Sequence, residues 1–398
     1  MFRPPSRRAP KPNAPPTSAS DPTTDLTRHF ARALTQLGIS SGDNCALAVS
    51  GGGDSVALMR LFADWTAREG ARPPTVLVVD HDLRPESEGE AALAARWAKA
   101  LGLPVHVLHW QGRKPVSNIE DQARRARYRL LGGWCADHGV ANLFLAHTRE
   151  DQAETFLLRL GRGSGVDGLS GMRARGPLPV AGFGAVHLLR PLLDIGRGEL
   201  RAYLQSQAAS WLEDPMNADS RYARVRVRKA LPQLEAAGVP ALRLAEAARH
   251  LARAREALEA STEDFLGRHA RIERNFALLD ATALLGSHRE IGLRALCAVL
   301  MRVSGKAYRP RFERLEALYE AISAGGFTAR TLMGCRVGKA PKTRAAFGPG
   351  TLLVVREAGR RTGLSDINAN HAALDHSTAV KCIRNPKNPP QKGRIRPL

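Results

Sequence analysis

Apolar and polar positions follow two rhythms between about residue 25 and residue 215. Short apolar runs of strand length, Cys45–Ser50, Thr75–Asp80, Val105–Trp110 and Asn142–Ala146, are separated by longer stretches with helical spacing, Ser55–Glu69, Glu86–Leu101, Asn118–His138 and Glu150–Leu160. This alternation predicts an α/β fold, a parallel sheet with helices on both faces. In such sheets ligands bind outside the carboxyl ends of the strands. Ser50, His81 and His147 each follow a predicted strand. Gly161–Gly184, rich in Gly and Pro, reads as loop. An apolar stretch, Val186–Leu193, then precedes a short helix at Arg197–Gln207.

Further on, residues 240–260 read as helix, with Leu244, Leu251 and Leu258 one heptad apart as a packing seam. Residues 262–361 mix helix with strand-like pieces around Ala329–Val337 and Thr351–Arg356. The pattern divides the chain into a Pro- and Arg-rich disordered tail (1–24, with seven prolines), an α/β domain (25–235), a helical and mixed α+β domain (236–361) and a basic disordered tail (362–398).

Charge changes the picture. The 398 residues hold 59 Lys and Arg against 38 Asp and Glu, a formal net charge of +21. Residues 1–24 contribute only Arg3, Arg7, Arg8 and Lys11, and the last nineteen contribute Lys381, Arg384, Lys387, Lys392, Arg394 and Arg396. Much of the excess therefore lies on the folded body, which points to a polyanionic partner. The five cysteines are scattered with no Cys-x-x-Cys pair, so they carry no zinc, iron–sulfur or dithiol signature and suit a reducing compartment. No apolar run reaches the ~18 residues a bilayer span needs. A cytoplasmic location is expected, with no membrane association.

The chemistry concentrates in six segments. Ser50-Gly51-Gly52-Gly53-Asp54-Ser55 lies between a predicted strand and a predicted helix. The glycines let a backbone approach a ligand closely, the serines add hydroxyl donors, and a helix N-terminus adds partial positive charge. That set suits a phosphate or pyrophosphate. It is neither a Walker A loop, because no Lys follows, nor a Gly-x-Gly-x-x-Gly dinucleotide turn. Val79-Asp80-His81-Asp82-Leu83-Arg84 puts a His and an Arg at a strand end. On the predicted helix from Asn118, Glu120, Arg124 and Arg127 share a face. After His147, the carboxylates Glu150, Asp151 and Glu154 fall within about one turn. They can serve as helix-dipole partners or, near a pyrophosphate loop, as Mg²⁺ ligands. Arg162-Gly163-Ser164-Gly165 begins a flexible or lid-like loop. Asp214-Pro215-Met216-Asn217-Ala218-Asp219 precedes Arg221, Arg224, Arg226, Arg228 and Lys229, which form a groove for phosphates or a basic surface helix.

The glycine loop resembles that of the PP-loop, or N-type, ATP pyrophosphatases. In this order, across residues 40 to 235, the six segments resemble the tRNA(Ile)-lysidine synthetases of that family. The resemblance implies a ligase that uses ATP to adenylate the wobble cytidine of isoleucine tRNA bearing a CAU anticodon. L-lysine then displaces AMP at carbon 2. It also implies that Ser50, Gly51, Gly52, Gly53, Asp54 and Ser55 hold the pyrophosphate, and that Asp54, Glu150 and Asp151 hold Mg²⁺. His147 and His81 would lie near the adenylated base, Arg127 at phosphate or base, and Glu154 at the lysine ammonium. Asp54, Asp151, His147 and Arg127 are the implied catalytic set. The chain departs from the family pattern at Asp82 (usually Gly), Glu150 (usually Asp) and Val225 (usually Asn). A 2-thiocytidine synthetase is the competing family member, disfavoured by the missing Cys-x-x-Cys pairs. A non-catalytic RNA-binding protein is the competing non-enzyme.

Overall fold

The computed structural model describes residues 22–112, 114–115, 117–213, 221, 223–306, 308–324 and 326–357. The expected tails and the Asp214–Asp219 run lie outside these described residues, apart from Pro22–Thr24 of the N-terminal segment. In the first unit the elements are α1 (Pro22–Gln36), β1 (Cys45–Val49), α2 (Gly53–Glu69), β2 (Thr75–Asp80), α3 (Ser87–Ala100), β3 (Val105–His109), α4 (Ile119–Asp137), β4 (Asn142–Phe144), α5 (Arg149–Leu160), α6 (Val166–Leu169), β5 (Arg175–Pro177), β6 (His187–Leu189), α7 (Arg197–Ser206) and α8 (Ala223–Ala236). They are followed by α9 (Ala241–His269).

The sheet runs β3-β2-β1-β4-β6-β5. All its pairings are parallel except β5 with β6. Strand alternation sorts side chains to two cores. Cys45, Leu47 and Val49 of β1 join Phe30, Phe62 and Leu204 on one face, and Ala46 joins Tyr128, Leu131 and Leu143 on the other. Phe62 is the hub of the first core, edge-on to Phe30 at 5.1 Å and to Phe144 at 4.7 Å. The strand order reverses at β1, with β2 and β3 to one side and β4 to the other. The crevice beyond the carboxyl ends of β1 and β4 is thus the place where such a sheet takes ligands.

The expected α/β fold with both faces covered is what forms, and strand ends agree within a residue or two. Two local expectations change. α1 begins at Pro22, inside the expected tail, because proline suits the first helical turn and Leu26, Phe30 and Leu34 bury one face. The expected loop Gly161–Gly184 contains α6 and the edge strand β5, whose Pro177 is tolerated at a sheet edge. The compact units divide between Ala257 and Leu258, inside continuous α9. The heptad seam holds for Leu244 and Leu251, which pack with Ala153 and Phe156.

The second unit holds β7 (Ala270–Ile272), β8 (Phe276–Asp280), α10 (Ala281–Gly286), α11 (Arg289–Ser304), α12 (Phe312–Ser323), β9 (Arg330–Leu332), β10 (Cys335–Lys339) and β11 (Thr351–Arg356). Its sheet is antiparallel, in the order β7-β8-β11-β10-β9. Leu279, Leu300, Val337 and Val354 lie in its core.

Candidate active site

The glycine loop leaves β1 and opens α2. Gly51 has φ +85°, and a Cβ there would stand 2.6 Å from Leu212 Cδ1. Both facts require glycine. Leu212 N–H donates to Gly51 O at 2.9 Å, tying the loop to the segment after α7. Gly52 is the N-cap of α2 and offers no side chain to close the helix end, so that end suits an anion. The loop serines have different tasks. Ser55 is buried, donates its hydroxyl to Gly52 O at 2.8 Å and accepts from Ser50 N–H at 3.2 Å, so it shapes the loop. Ser50 is exposed.

The second wall is the start of α5, opposite at the end of β4. Thr148 and Asp151 form a capping box. Thr148 N–H donates to Asp151 Oδ2 at 2.9 Å, and its hydroxyl donates to the same oxygen at 3.1 Å. The box turns the other oxygen of Asp151 toward two arginines. Arg197 Nη2 donates to Asp151 Oδ1 at 2.6 Å and Arg224 Nη2 donates to it at 3.0 Å. Glu154, one turn on, has a side chain 0% exposed. It accepts from Arg197 Nη1 at 3.0 Å, Arg228 Nε at 2.8 Å and Arg224 Nε at 2.7 Å. Arg197 also reaches Asp54 Oδ2 through Nε at 3.2 Å, and its backbone N–H donates to Glu150 Oε2 at 2.9 Å.

Burial acts on each charge here. It pushes the Asp54 carboxyl up, with Asp151 and Glu150 adding to the rise and Arg197 opposing it. Burial would also raise Glu154, but its arginine partners win and hold it below the usual carboxylate range. For Arg197, burial disfavours the charge and the carboxylates of Asp151, Glu154 and Asp54 more than restore it.

A third group is basic and neutral. Burial, with Arg190 and Arg224 nearby, pushes His147 well below its ordinary value. Arg190 Nε donates to His147 Nδ1 at 3.2 Å, so the neutral ring carries its proton on Nε2. Burial and Arg127 likewise push His81 down to about 4. His81 Nδ1 and Arg127 Nε are buried with no hydrogen-bond partner among the described residues. His81 stands edge-on to Trp110 at 6.0 Å.

The structure thus brings Asp54, Glu150, Asp151 and Glu154 together, and sets His147 among Arg190, Arg224 and Arg127. Two expected ligand sites have their oxygens occupied. Three arginines enclose Glu154. Asp151 is filled as well. A carboxylate accepts at about four lone-pair positions. Those of Asp151 are taken by Thr148 N–H, the Thr148 hydroxyl, Arg197 and Arg224. Among the described residues no group of three or more His, Cys, Asp or Glu side chains is arranged to hold a metal. Of the arginines of α8, Arg224 and Arg228, one turn apart, point at Glu154, and Arg226 is exposed.

The sequence pattern places Arg197 at the start of a helix and not among the site residues. A basic residue in the first turn of a helix opposes the helix dipole, and that anomaly was the available signal. Of the departures, Asp82 adopts φ +49°, held by Asp80 Oδ1 accepting from its N–H at 2.9 Å, and Asp tolerates the left-handed region. Val225 is buried on α8.

The sequence signature of the PP-loop domain family matches residues 22–235. The chain is 44% identical over 302 residues to the tRNA(Ile)-lysidine synthase of Ruegeria pomeroyi, covering 75% of this chain and 69% of that one. It is 42% identical over 314 residues to the tRNA(Ile)-lysidine synthase of Methylobacterium nodulans, covering 77% and 90%. Among solved structures, the U34-tRNA thiolase NcsA of Methanococcus maripaludis matches with a TM-score of 0.50 at 16% identity, over 60% of this chain and 79% of that one. That last likeness is one of fold.

Proposed function

The chain belongs to the PP-loop family, among the tRNA(Ile)-lysidine synthases, and from this premise we propose that its site joins L-lysine to carbon 2 of the wobble cytidine in isoleucine tRNA with a CAU anticodon. It is an enzyme of ATP-dependent tRNA modification. The C2 oxygen of the cytidine attacks the α-phosphorus of ATP, the phosphoanhydride bond breaks, and pyrophosphate leaves. The lysine amine then attacks carbon 2 and loses its proton, and AMP departs with the former C2 oxygen. Adenylation turns a poor leaving group into a good one.

The observation that carries this reading is the glycine loop. It opens an uncapped helix at the strand-order reversal, facing the carboxylate–arginine cluster. The loop backbone and the start of α2 receive the pyrophosphate as its charge grows. His147, neutral with its proton on Nε2, donates a hydrogen bond and does not act as a base there. Arg127 supplies positive charge for phosphate. Asp151 is a positioning residue: it caps α5 and aims Arg197 and Arg224. The net charge of +21 suits tRNA, whose binding should weaken steeply as salt rises. We also assign the protein to the cytoplasm. Among the described residues no helix is long and apolar enough to cross a membrane.

The test is nucleoside mass spectrometry after incubation with Mg-ATP, labelled lysine and an isoleucine tRNA transcript bearing CAU. Lysine on the wobble cytidine, matched by AMP, is expected. AMP without lysine transfer would overturn the choice of nucleophile. No AMP at all would return the chain to the non-catalytic RNA-binding reading.

A further inference from the structure

Arg197 stands where the sequence pattern put a divalent cation. It bridges Asp54, Asp151 and Glu154 through three different nitrogens, at 3.2, 2.6 and 3.0 Å, and holds Glu150 through its backbone N–H. We propose that Arg197 is the resident counter-charge of this carboxylate cluster, and that without nucleotide the protein binds no divalent ion at Asp54 and Asp151.

Three observations support it. The first is valence. The oxygens of Asp151 are filled by Thr148, Arg197 and Arg224, and those of Glu154 by Arg197, Arg224 and both Nε and Nη2 of Arg228, so neither has a lone pair to give a metal. The second is charge. Asp54, Glu150, Asp151 and Glu154 carry four negative charges when ionised, and Arg197, Arg224 and Arg228 return three. A divalent ion would convert one residual negative charge into one positive charge in a part-buried site, where an uncompensated charge is costly. The third is geometry. The Arg197 side chain is only 19% exposed and is fixed at both ends, by its own N–H and by its guanidinium, so it is not a loose surface group. A planar guanidinium with several fixed donors suits three carboxylates at once, as a lysine ammonium would not. A divalent ion that arrives with ATP is therefore left to the phosphates and to Asp54 and Glu150, each of which has one oxygen outside the arginine contacts.

The inference does not rest on which base the enzyme modifies, because its readout is metal binding without ATP or tRNA. The probe is Mn²⁺, followed by electron paramagnetic resonance on the full chain near neutral pH. Wild type should bind no Mn²⁺ below about millimolar concentration, as expected of carboxylates already committed to arginines. R197M should gain one site at least about tenfold tighter, because removing a paired cation leaves its carboxylates uncompensated. R197M/D151N should lose that site again. Circular dichroism and a thermal melt report whether R197M folds, and R197Q, which keeps a hydrogen-bond donor, replaces it if it does not. Tight Mn²⁺ binding by wild type would overturn the proposal. So would a folded R197M or R197Q that gains no site.

Discussion

The two units of this chain put their charges in opposite places. In the first unit Glu154 is fully buried, Asp151 is nearly so, and Arg197 lies among them at the carboxyl ends of a parallel sheet. In the second, the core is apolar, and the ion pairs of Arg289 with Glu320 and of Arg302 with Glu263 lie at the surface. Among the described residues of that unit, buried Arg294 pairs with a half-exposed Glu290. Burying charge is expensive, so a fold bears it where the charge is used. The second unit is a packing problem solved by leucine and valine. The first adds to its apolar cores an ordered set of charges beside an anion-ready loop.

The sharpest way to break this contrast is to remove one partner on each side. Glu154→Ala removes the buried carboxylate that Arg197, Arg224 and Arg228 share, leaving Asp151 and Asp54 to offset Arg197 and Arg224. It should cost about 3–5 kcal/mol in urea unfolding and abolish ATP–pyrophosphate exchange. Glu263→Ala, at a surface pair, should cost under about 1 kcal/mol. Equal losses from the two would contradict the contrast.

A core deletion separates stability from chemistry. Leu300→Ala, in the fully buried core of the second unit, should cost about 2–5 kcal/mol in the same unfolding assay. Exchange per folded molecule should stay at the wild-type rate. A lower rate at full folding would bring the second unit into the chemistry.

The smallest effect is a pH slope. His81 is held neutral in the folded protein, with its pKa lowered to about 4, while the unfolded chain protonates near the ordinary value of about 6.5. Between those values the unfolded state binds more protons. Folding stability should therefore fall as pH drops from 6.5 toward 4, and this contribution is complete above that window. His81→Asn should flatten the slope across the window in urea melts at a series of pH values. An unchanged slope would remove His81 as its source.

How much was legible in advance follows the range of each interaction. β1, β2 and the glycine loop could be read because apolar runs and Gly-Gly-Gly are local signals. β5 was missed because Arg175-Gly176-Pro177 has the composition of a turn and becomes a strand only by pairing with β6. The carboxylates Glu150, Asp151 and Glu154 were visible as a cluster on one helix. Their partners were not: Arg197 pairs with residues 43, 46 and 143 positions away, and Arg224 with residues 70 and 73 away, distances no local spacing encodes. In the folded chain Arg197 bridges the carboxylates that residue spacing assigned to a metal.

The central claim is that the glycine loop at the end of β1 receives the pyrophosphate, and tRNA-dependent ATP–pyrophosphate exchange in Gly51→Ala tests it most directly. The new Cβ would meet Leu212 at 2.6 Å and φ +85° disfavours any side chain. The strain should be on the order of 1–3 kcal/mol, small enough to leave a folded protein that still binds tRNA in a filter assay. Exchange that needs tRNA in wild type and disappears in Gly51→Ala, with tRNA binding retained, is the predicted result. Wild-type exchange in Gly51→Ala would contradict it.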